Sequence, residues 1–297
     1  MPWHTRNRSH GVGESFLTGF TKVTANAEKT SISEYVLTKE QYRRIQDWLY
    51  QVSGIDLQVG KENLVKNRLA KRIRTLGLSD FDAYIHHVEQ DKSRRELLTL
   101  IDSMTTNKTS FFRERVHFDY IADHLIPYWS QRRDVRIWSA GCSSGEEPYS
   151  LSMLLFDKYA AASSSRILAT DISDSILEQA RTGIYHANQV EDVPSHYKIA
   201  YMQKKDGEHY SVKPDVRSTI RFANLNLMGN WPMKGPFDLI LCRNVMIYFD
   251  RQTQERLINR YYELLRPGGH LFIGHSESLA SVNHPFSYCQ PAVYKRD

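Results

Sequence analysis

The sequence predicts an α/β protein: a Rossmann-like domain with a mainly parallel sheet and a small β insertion, preceded by a small all-α domain. Three observations predict it. Helical periodicities fill residues 34–104, with no strand pattern among them. From residue 135 onward, apolar strand-like runs alternate with helical segments, the pattern of a parallel sheet covered by helices. A loop with two glycines follows the first of those strands directly, where open α/β sheets bind ligands. At 297 residues the chain is also about twice the size of one ordinary domain.

Residues 1–33 are polar, with scattered Gly, Ser, Thr and Asn, and read as a disordered tail. They hold no continuous apolar core, so no secretory leader is expected. Thr38 with Gln41 makes a capping box before a helix that ends at Gly54. Leu64, Val65, Leu69, Ile73 and Leu76 recur at helical spacing and stop at Gly77. Ser79 and Asp82 are expected to open a third helix carrying Phe81, Tyr84, Ile85 and Val88. Ser93 and Glu96 are expected to open a fourth, carrying Leu97, Leu98, Leu100 and Ile101. Residues 105–134 read as a linker with a connecting helix. In 135–297, strands are predicted at 135–140, 166–170, 219–223, 237–242 and 270–274, and helices at 146–159, 173–181 and 253–266. Residues 187–217 interrupt this alternation with Pro194 and Pro214. There, Asp206-Gly207 before Tyr210 and Val212 predicts a hairpin, read as the β insertion.

Composition excludes several classes. Hydrophobic residues make up 41% and charged residues 25%, ordinary for a globular protein, and no run approaches the roughly 20 apolar residues of a membrane span. The three cysteines, Cys142, Cys242 and Cys289, are odd in number and form no CxxC. They read as free thiols in a reducing cytoplasm, with neither a disulfide framework nor a metal site expected. The net charge of +5 is concentrated: Lys61 to Arg74 holds six basic residues and one acid, a local net of +5. Arg68, Lys71 and Arg74 fall on the helix face opposite Val65, Leu69 and Ile73, and Arg72 is grouped with them. Such a face is either merely solvated or a dock for an acidic partner. No aromatic interleaving or recognition motif points to nucleic acid.

The most informative segment runs from Ile137 to Glu147, with Gly141 and Gly145 in the loop between strand and helix. Glycine allows tight turns and close backbone approach to a ligand. Asp171, at the end of the next strand, lies where a carboxylate can accept hydrogen bonds from both hydroxyls of an adenosine ribose. Gly141-Cys142-Ser143-Ser144-Gly145 also fits G-x-S-x-G, a serine-hydrolase elbow, and Asp238 and His275 follow in the required order. Against this, several strands precede such an elbow in α/β-hydrolases, whereas here only helices do. A nicotinamide enzyme is disfavoured, though not eliminated, by the G-x-x-x-G spacing. Further on, Gly235 to Asn244 is a buried strand ending in polar residues. Arg266-Pro267-Gly268-Gly269 then looks like the turn common in class I methyltransferases.

Four motifs name a family. Thr106-Asn107-Lys108-Thr109-Ser110-Phe111-Phe112-Arg113-Glu114, Gly145-Glu146-Glu147-Pro148-Tyr149-Ser150, Cys242-Arg243-Asn244-Val245-Met246-Ile247-Tyr248-Phe249-Asp250 and Gly274-His275-Ser276-Glu277 closely resemble the chemotaxis receptor methyltransferases, the CheR family. The match covers residues 35–295. The resemblance implies a class I (Rossmann-like) methyltransferase domain that uses S-adenosyl-L-methionine (SAM), with S-adenosyl-L-homocysteine as product. Its acceptors would be glutamate side chains on the cytoplasmic helices of chemoreceptors. Carried over by motif, Asn107, Thr109 and Arg113 would lie over the cofactor, with Gly141 in the glycine loop. Glu147, rather than its neighbour Glu146, would contact the methionine part and Asp171 the ribose, while Asn226, Leu227, Arg243 and Asn244 would line the adenosine and methionine side. Arg113 and Tyr248 are the candidates for holding the acceptor carboxylate. Arg68, Lys71, Arg72 and Arg74 would face the receptor helices. In some members the β insertion binds a C-terminal receptor tether by strand addition. A cytoplasmic monomer without membrane insertion is expected, and His270 and His275 are given no catalytic role. Methylation of another signalling protein, or a SAM-binding regulatory module without turnover, are the alternatives.

Overall fold

The structure is a computed structural model that describes residues 35–132 and 134–297. The expected tail at 1–33 lies outside them. Four helices come first: α1 (Lys39–Ser53), α2 (Glu62–Thr75), α3 (Phe81–Gln90) and α4 (Arg95–Met104). Thr38 caps α1 through the expected box with Gln41, and Gly54 ends it in the left-handed region at φ 74°. Tyr42, Ile45 and Leu49 of α1, Val65, Leu69 and Ile73 of α2, Phe81, Tyr84 and Val88 of α3, and Leu100, Ile101 and Met104 of α4 close one apolar core.

Two expected helix starts shift. Asp80, not Ser79, caps α3, because its carboxylate accepts from Ala83 N while the Ser79 hydroxyl donates to it. Arg94, at φ 58°, precedes α4; Asp91 accepts from the backbone of Ser93 and Glu96. Glu96 therefore does not cap the helix with its side chain. It turns inward, 5% exposed, to pair with Arg72 and accept from the Tyr84 hydroxyl.

The linker leads into α5 (Arg115–Tyr120), a π-helical turn over Ile121–Leu125 and α6 (Ile126–Trp129). The alternating part follows as β1 (Arg136–Ala140), α7 (Glu146–Lys158), β2 (Arg166–Asp171) and α8 (Asp174–Thr182). The insertion comprises β3 (Ile184–His186), α9 (Ser195–Tyr201), β4 (Met202–Lys204) and β5 (His209–Val212), antiparallel in the order β3-β5-β4. It includes the expected hairpin but gains β3, which at three residues is too short for alternation to reveal. Next come α10 (Pro214–Ser218), β6 (Ile220–Asn224), β7 (Phe237–Cys242), α11 (Arg251–Leu264), β8 (Leu265–Ile273), β9 (Ser287–Gln290) and β10 (Val293–Lys295).

The seven-stranded sheet has the order β6-β2-β1-β7-β8-β10-β9. β6, β2, β1, β7 and β8 run parallel, while β10 pairs antiparallel with β8 and β9. β8 begins five residues earlier than the sequence suggests, so the Pro267-Gly268-Gly269 turn lies inside its span with a register irregularity opposite Phe237 and Leu239. The sheet separates two cores by the two-residue period of its strands. Ile137, Leu239 and Leu241 face the side covered by α7 and the connecting helix, whereas Trp138, Ile240 and Cys242 face α11. Chain order reverses at β1, between β2 and β7, so a crevice opens beyond its carboxyl end.

The helical part is fastened to the rim of this crevice. Ile55 forms a β-bridge with Phe249, Asp56 N donates to Tyr248 O at 2.8 Å, and the Tyr50 hydroxyl donates to Asp250 Oδ2 at 2.6 Å.

Candidate active site

A cavity occupies that crevice and encloses about 970 Å³, counting its open mouth. Its floor is the loop after β1. Gly141 has φ 85°, and its N–H and that of Cys142 both donate to Thr170 O, at 2.8 and 2.9 Å. A Cβ at Gly141 would run into the Val245 side chain, so packing across the sheet end requires glycine there as much as any ligand does. Gly145, at φ 96°, starts α7, where a Cβ would meet Ala180 and the Tyr185 hydroxyl at 3.0 Å.

Asp171 ends β2 at the cavity wall. Its Oδ2 accepts from Ser143 N at 2.9 Å and its Oδ1 from Ser173 N at 3.1 Å. Each oxygen keeps a further lone pair, so the carboxylate can accept two more hydrogen bonds. Burial pushes its pKa above the usual carboxylate range, against the lowering by those backbone N–H groups.

Arg243 lies at the carboxyl end of β7, its side chain 3% exposed, between two carboxylates. Nη1 donates to Glu147 Oε2 at 2.8 Å; Nε and Nη2 donate to Glu114 Oε2 at 3.3 and 3.1 Å, and Nη2 also reaches Arg113 O. Ser139 Oγ donates to Glu147 Oε1 at 2.7 Å. One guanidinium between two carboxylates leaves a net negative charge, suited to a cationic ligand. Burial raises the Glu114 pKa, but the Arg243 charge and the His275 N–H outweigh it and hold the group below its ordinary range. Asn244 adopts φ 59°, with its N–H on Glu277 Oε2 at 2.9 Å; Glu277 also accepts from Gly274 N and Ile247 N, and so shapes the turn under the cavity.

Every residue that the sequence assigned to the cofactor lines this cavity: Asn107, Thr109, Arg113, Gly141, Glu147, Asp171, Asn226, Leu227, Arg243 and Asn244, and Tyr248 joins them. Glu146 does not; it is buried away from the cavity and accepts from the Ser144 hydroxyl. Asn226 lines the wall, but its carboxamide already donates to Val52 O and accepts from Met228 N. Arg113 donates to Lys108 O at 2.9 Å rather than pairing with Glu114 or Glu147. Sequence reasoning gave no role to Glu114 or Glu277, although both lie in quoted motifs. It also missed Ser53, Ile55 and Met104, which bring the helical part into the wall.

The structure divides the expected docking set. Arg72 is committed to the buried Glu96. Arg68 donates to the carbonyls of Met104 and Thr105 and to the Thr106 hydroxyl, closing the end of α4. Lys71 and Arg74 stay exposed. An arginine near an open helix end or a buried acid is captured by it, and sequence spacing does not reveal either partner.

A hydrolase triad is absent among the described residues. Asp238 lies at the start of β7, bonded to Arg132, Arg136 N and Arg266, at the opposite end of the sheet from Ser143. Ser143 Oγ donates to Asn107 O instead of to a histidine. The lining suits SAM: Glu147 beside Arg243, the Asp171 carboxylate with its spare acceptor positions, and apolar walls that include Leu225, Leu227 and Phe249 would offer places for the charged methionine part, a ribose diol and an adenine.

Comparison with known proteins agrees. Residues 107–295 match the family described as CheR methyltransferase, SAM binding domain, and residues 40–105 match CheR methyltransferase, all-alpha domain. The chain is 40% identical over 265 residues to the chemotaxis protein methyltransferase of Escherichia coli K12, covering 87% of this chain and 91% of that protein. It is 38% identical over 271 residues to the protein of the same name from Borreliella burgdorferi, covering 88% and 95%. Chemotaxis protein methyltransferase 2 of Pseudomonas aeruginosa is 37% identical over 266 residues, covering 88% and 94%. The chain belongs to the CheR family of chemotaxis methyltransferases, and its cofactor is S-adenosyl-L-methionine.

Proposed function

We propose that this enzyme esterifies glutamate side chains on the cytoplasmic helices of methyl-accepting chemoreceptors. The observation that carries the reading is the joint lining of one cavity by Arg113, Tyr248, Glu147, Arg243 and Asp171 in a chain of this family. The bound cofactor supplies an electrophilic methyl on a sulfonium. A glutamate acceptor, with an ordinary pKa of about 4.3, is ionised at neutral pH, so the chain needs no general base. Its task is alignment, which contributes on the order of 7–11 kcal/mol in the best intramolecular cases. Asp171 would hold the ribose, and Glu147 and Arg243 the methionine part. Arg113, braced by Lys108 O, and Tyr248 would orient the acceptor. An arginine that gripped the acceptor too tightly would blunt its nucleophilicity, so Arg113 would orient donor and acceptor without a bidentate clamp. The enzyme would work as a cytoplasmic monomer; among the described residues no helix is long and apolar enough to cross a membrane.

The test uses methyl-labelled SAM, the purified chain and membranes carrying the organism's chemoreceptors. Label should enter the receptor band, leave as methanol in base, and disappear with Arg113→Ala. Label in a different protein would move the acceptor elsewhere. Cofactor binding with no labelled acceptor would favour the regulatory alternative.

Lys71 and Arg74 supply the exposed positive face of α2. Reversing both, Lys71→Glu with Arg74→Glu, should raise KM for receptor on the order of tenfold at low salt and much less at high salt. SAM affinity and melting temperature should stay unchanged. A KM that does not move would remove α2 from receptor recognition.

A further inference from the structure

We propose that Glu114, His117 and His275 form a binding site for a first-row divalent transition metal ion of the zinc class, beside the cofactor cavity. One ligand atom from each of these residues lies within 4.8 Å of the others. Glu114 stands at the N-cap of α5 at φ 57° and His117 follows three positions later, with Glu114 Oε2 3.5 Å from His117 Nδ1. This Glu-x-x-His spacing recurs among metal-binding helices. His275 comes from the loop after β8, about 160 positions away in the sequence, a distance that hides the grouping from any spacing rule.

The buried member of the cluster supplies a second, independent observation. His117 is fully buried, yet neither ring nitrogen has a hydrogen-bond partner among the described residues; the nearest carboxylate oxygen, Glu114 Oε2, is 3.5 Å from Nδ1. Its ring lies edge-on to His275 at 4.8 Å and beside Phe272 at 5.1 Å. A buried imidazole ordinarily uses at least one nitrogen, so this ring is aimed into the cluster with nothing there to receive it. His275 is exposed and gives an entry path from solvent.

Two imidazoles and one carboxylate suit zinc, iron(II) or cobalt, whereas magnesium and calcium prefer oxygen throughout. The neighbouring Arg243 does not bar a cation. It is already shared with Glu147, so the three charged groups carry one net negative charge. Glu114 Oε1 is held by longer bonds, 3.2 Å from His275 N and 3.4 Å from Asn244 Nδ2, and is free to turn toward an ion. Metal–ligand bonds of about 2.0–2.2 Å would draw the three groups together, with His275 on its exposed loop moving most. Arg243 and Asn244 both lean on Glu114 and both line the cofactor cavity, so an ion that claims Glu114 disturbs that wall. Metal and cofactor should therefore weaken each other reciprocally.

The test titrates the full chain with Zn²⁺ alone by calorimetry and with Co²⁺ alone by visible absorption. A Cys289→Ser background removes the exposed thiol. The expected result is one ion per chain, a cobalt spectrum without thiolate charge transfer, and affinity that falls about tenfold or more with His275→Ala. His117→Gln should act likewise, but the exposed His275 is the deciding variant because its replacement does not threaten the core. Added S-adenosyl-L-homocysteine should weaken zinc binding several-fold. No binding tighter than millimolar, or an affinity indifferent to His275→Ala, would overturn the proposal.

Discussion

Arg243→Met is expected to cost about 3–5 kcal/mol of stability, the usual penalty for removing one partner of a buried ion pair. The side chain is 3% exposed and faces Glu114 and Glu147, each 12% exposed, so the variant leaves two carboxylates together without a cation. For a chain of this size, with an unfolding entropy of about 2 cal/mol/K per residue, that corresponds to a melting point lower by about 5–9 °C. The loss should depend on pH in a definite direction. In the native protein the Glu114 pKa is depressed, so its contribution is present above its unfolded value and is lost as pH falls through the folded one. Without Arg243, burial dominates and the folded pKa rises. The variant is then penalised as pH rises through that value and relieved below it. The gap between the two proteins should narrow from pH 8 to pH 4. Arg243→Lys should recover only part of the loss, since an ammonium cannot fork to both acids. Thermal unfolding across that pH range reads all of this; a constant gap would mean that Glu114 does not depend on Arg243.

Asp171→Asn should weaken SAM binding about a hundredfold, the loss of roughly 3 kcal/mol from charge-assisted bonds to the ribose. The native carboxylate already accepts from Ser143 N and Ser173 N, one on each oxygen. An amide would turn its NH₂ toward one of those donors, so the variant loses a loop contact as well as the ligand's. Because burial raises the Asp171 pKa, the empty site's stability is highest with the acid protonated and declines as pH rises through that value. Hydroxyl donors favour the ionised form, so native SAM affinity should fall as pH drops through the same range while the asparagine variant stays flat. Calorimetry at several pH values separates the outcomes. Equal affinities, or parallel pH profiles, would remove Asp171 from the ribose.

What the sequence reveals here follows from how local each cause is. The α1 capping box, the buried run of β7 and the glycine turn after β1 are written within a few residues, and the structure keeps them within a residue or two of their expected limits. The reason for Gly141 is not local: it depends on Val245, about a hundred positions later. The inward turn of Glu96 likewise depends on Arg72 and Tyr84 from two other helices. The sequence does not announce β9 and β10 because both are short, and β9, the half-exposed edge strand at Ser287–Gln290, carries little alternation. The cavity residues were legible as motifs, and the roles of Glu114 and Glu277 were not, since each acts through backbone and side chains brought together by folding.

The division of labour along α2 limits how its outward face can change over time. Arg68 and Arg72 are tied to the end of α4 and to Glu96, so substituting them disturbs the helical core before it alters any surface. Lys71 and Arg74 carry no such obligation to another helix. If this face docks the receptor as proposed, a lineage adapting to a partner with a different charge pattern would vary the helix at those two positions while its neighbours stay fixed. Recognition would then drift without loosening the wall of the cofactor cavity that Met104 to Thr106 supply.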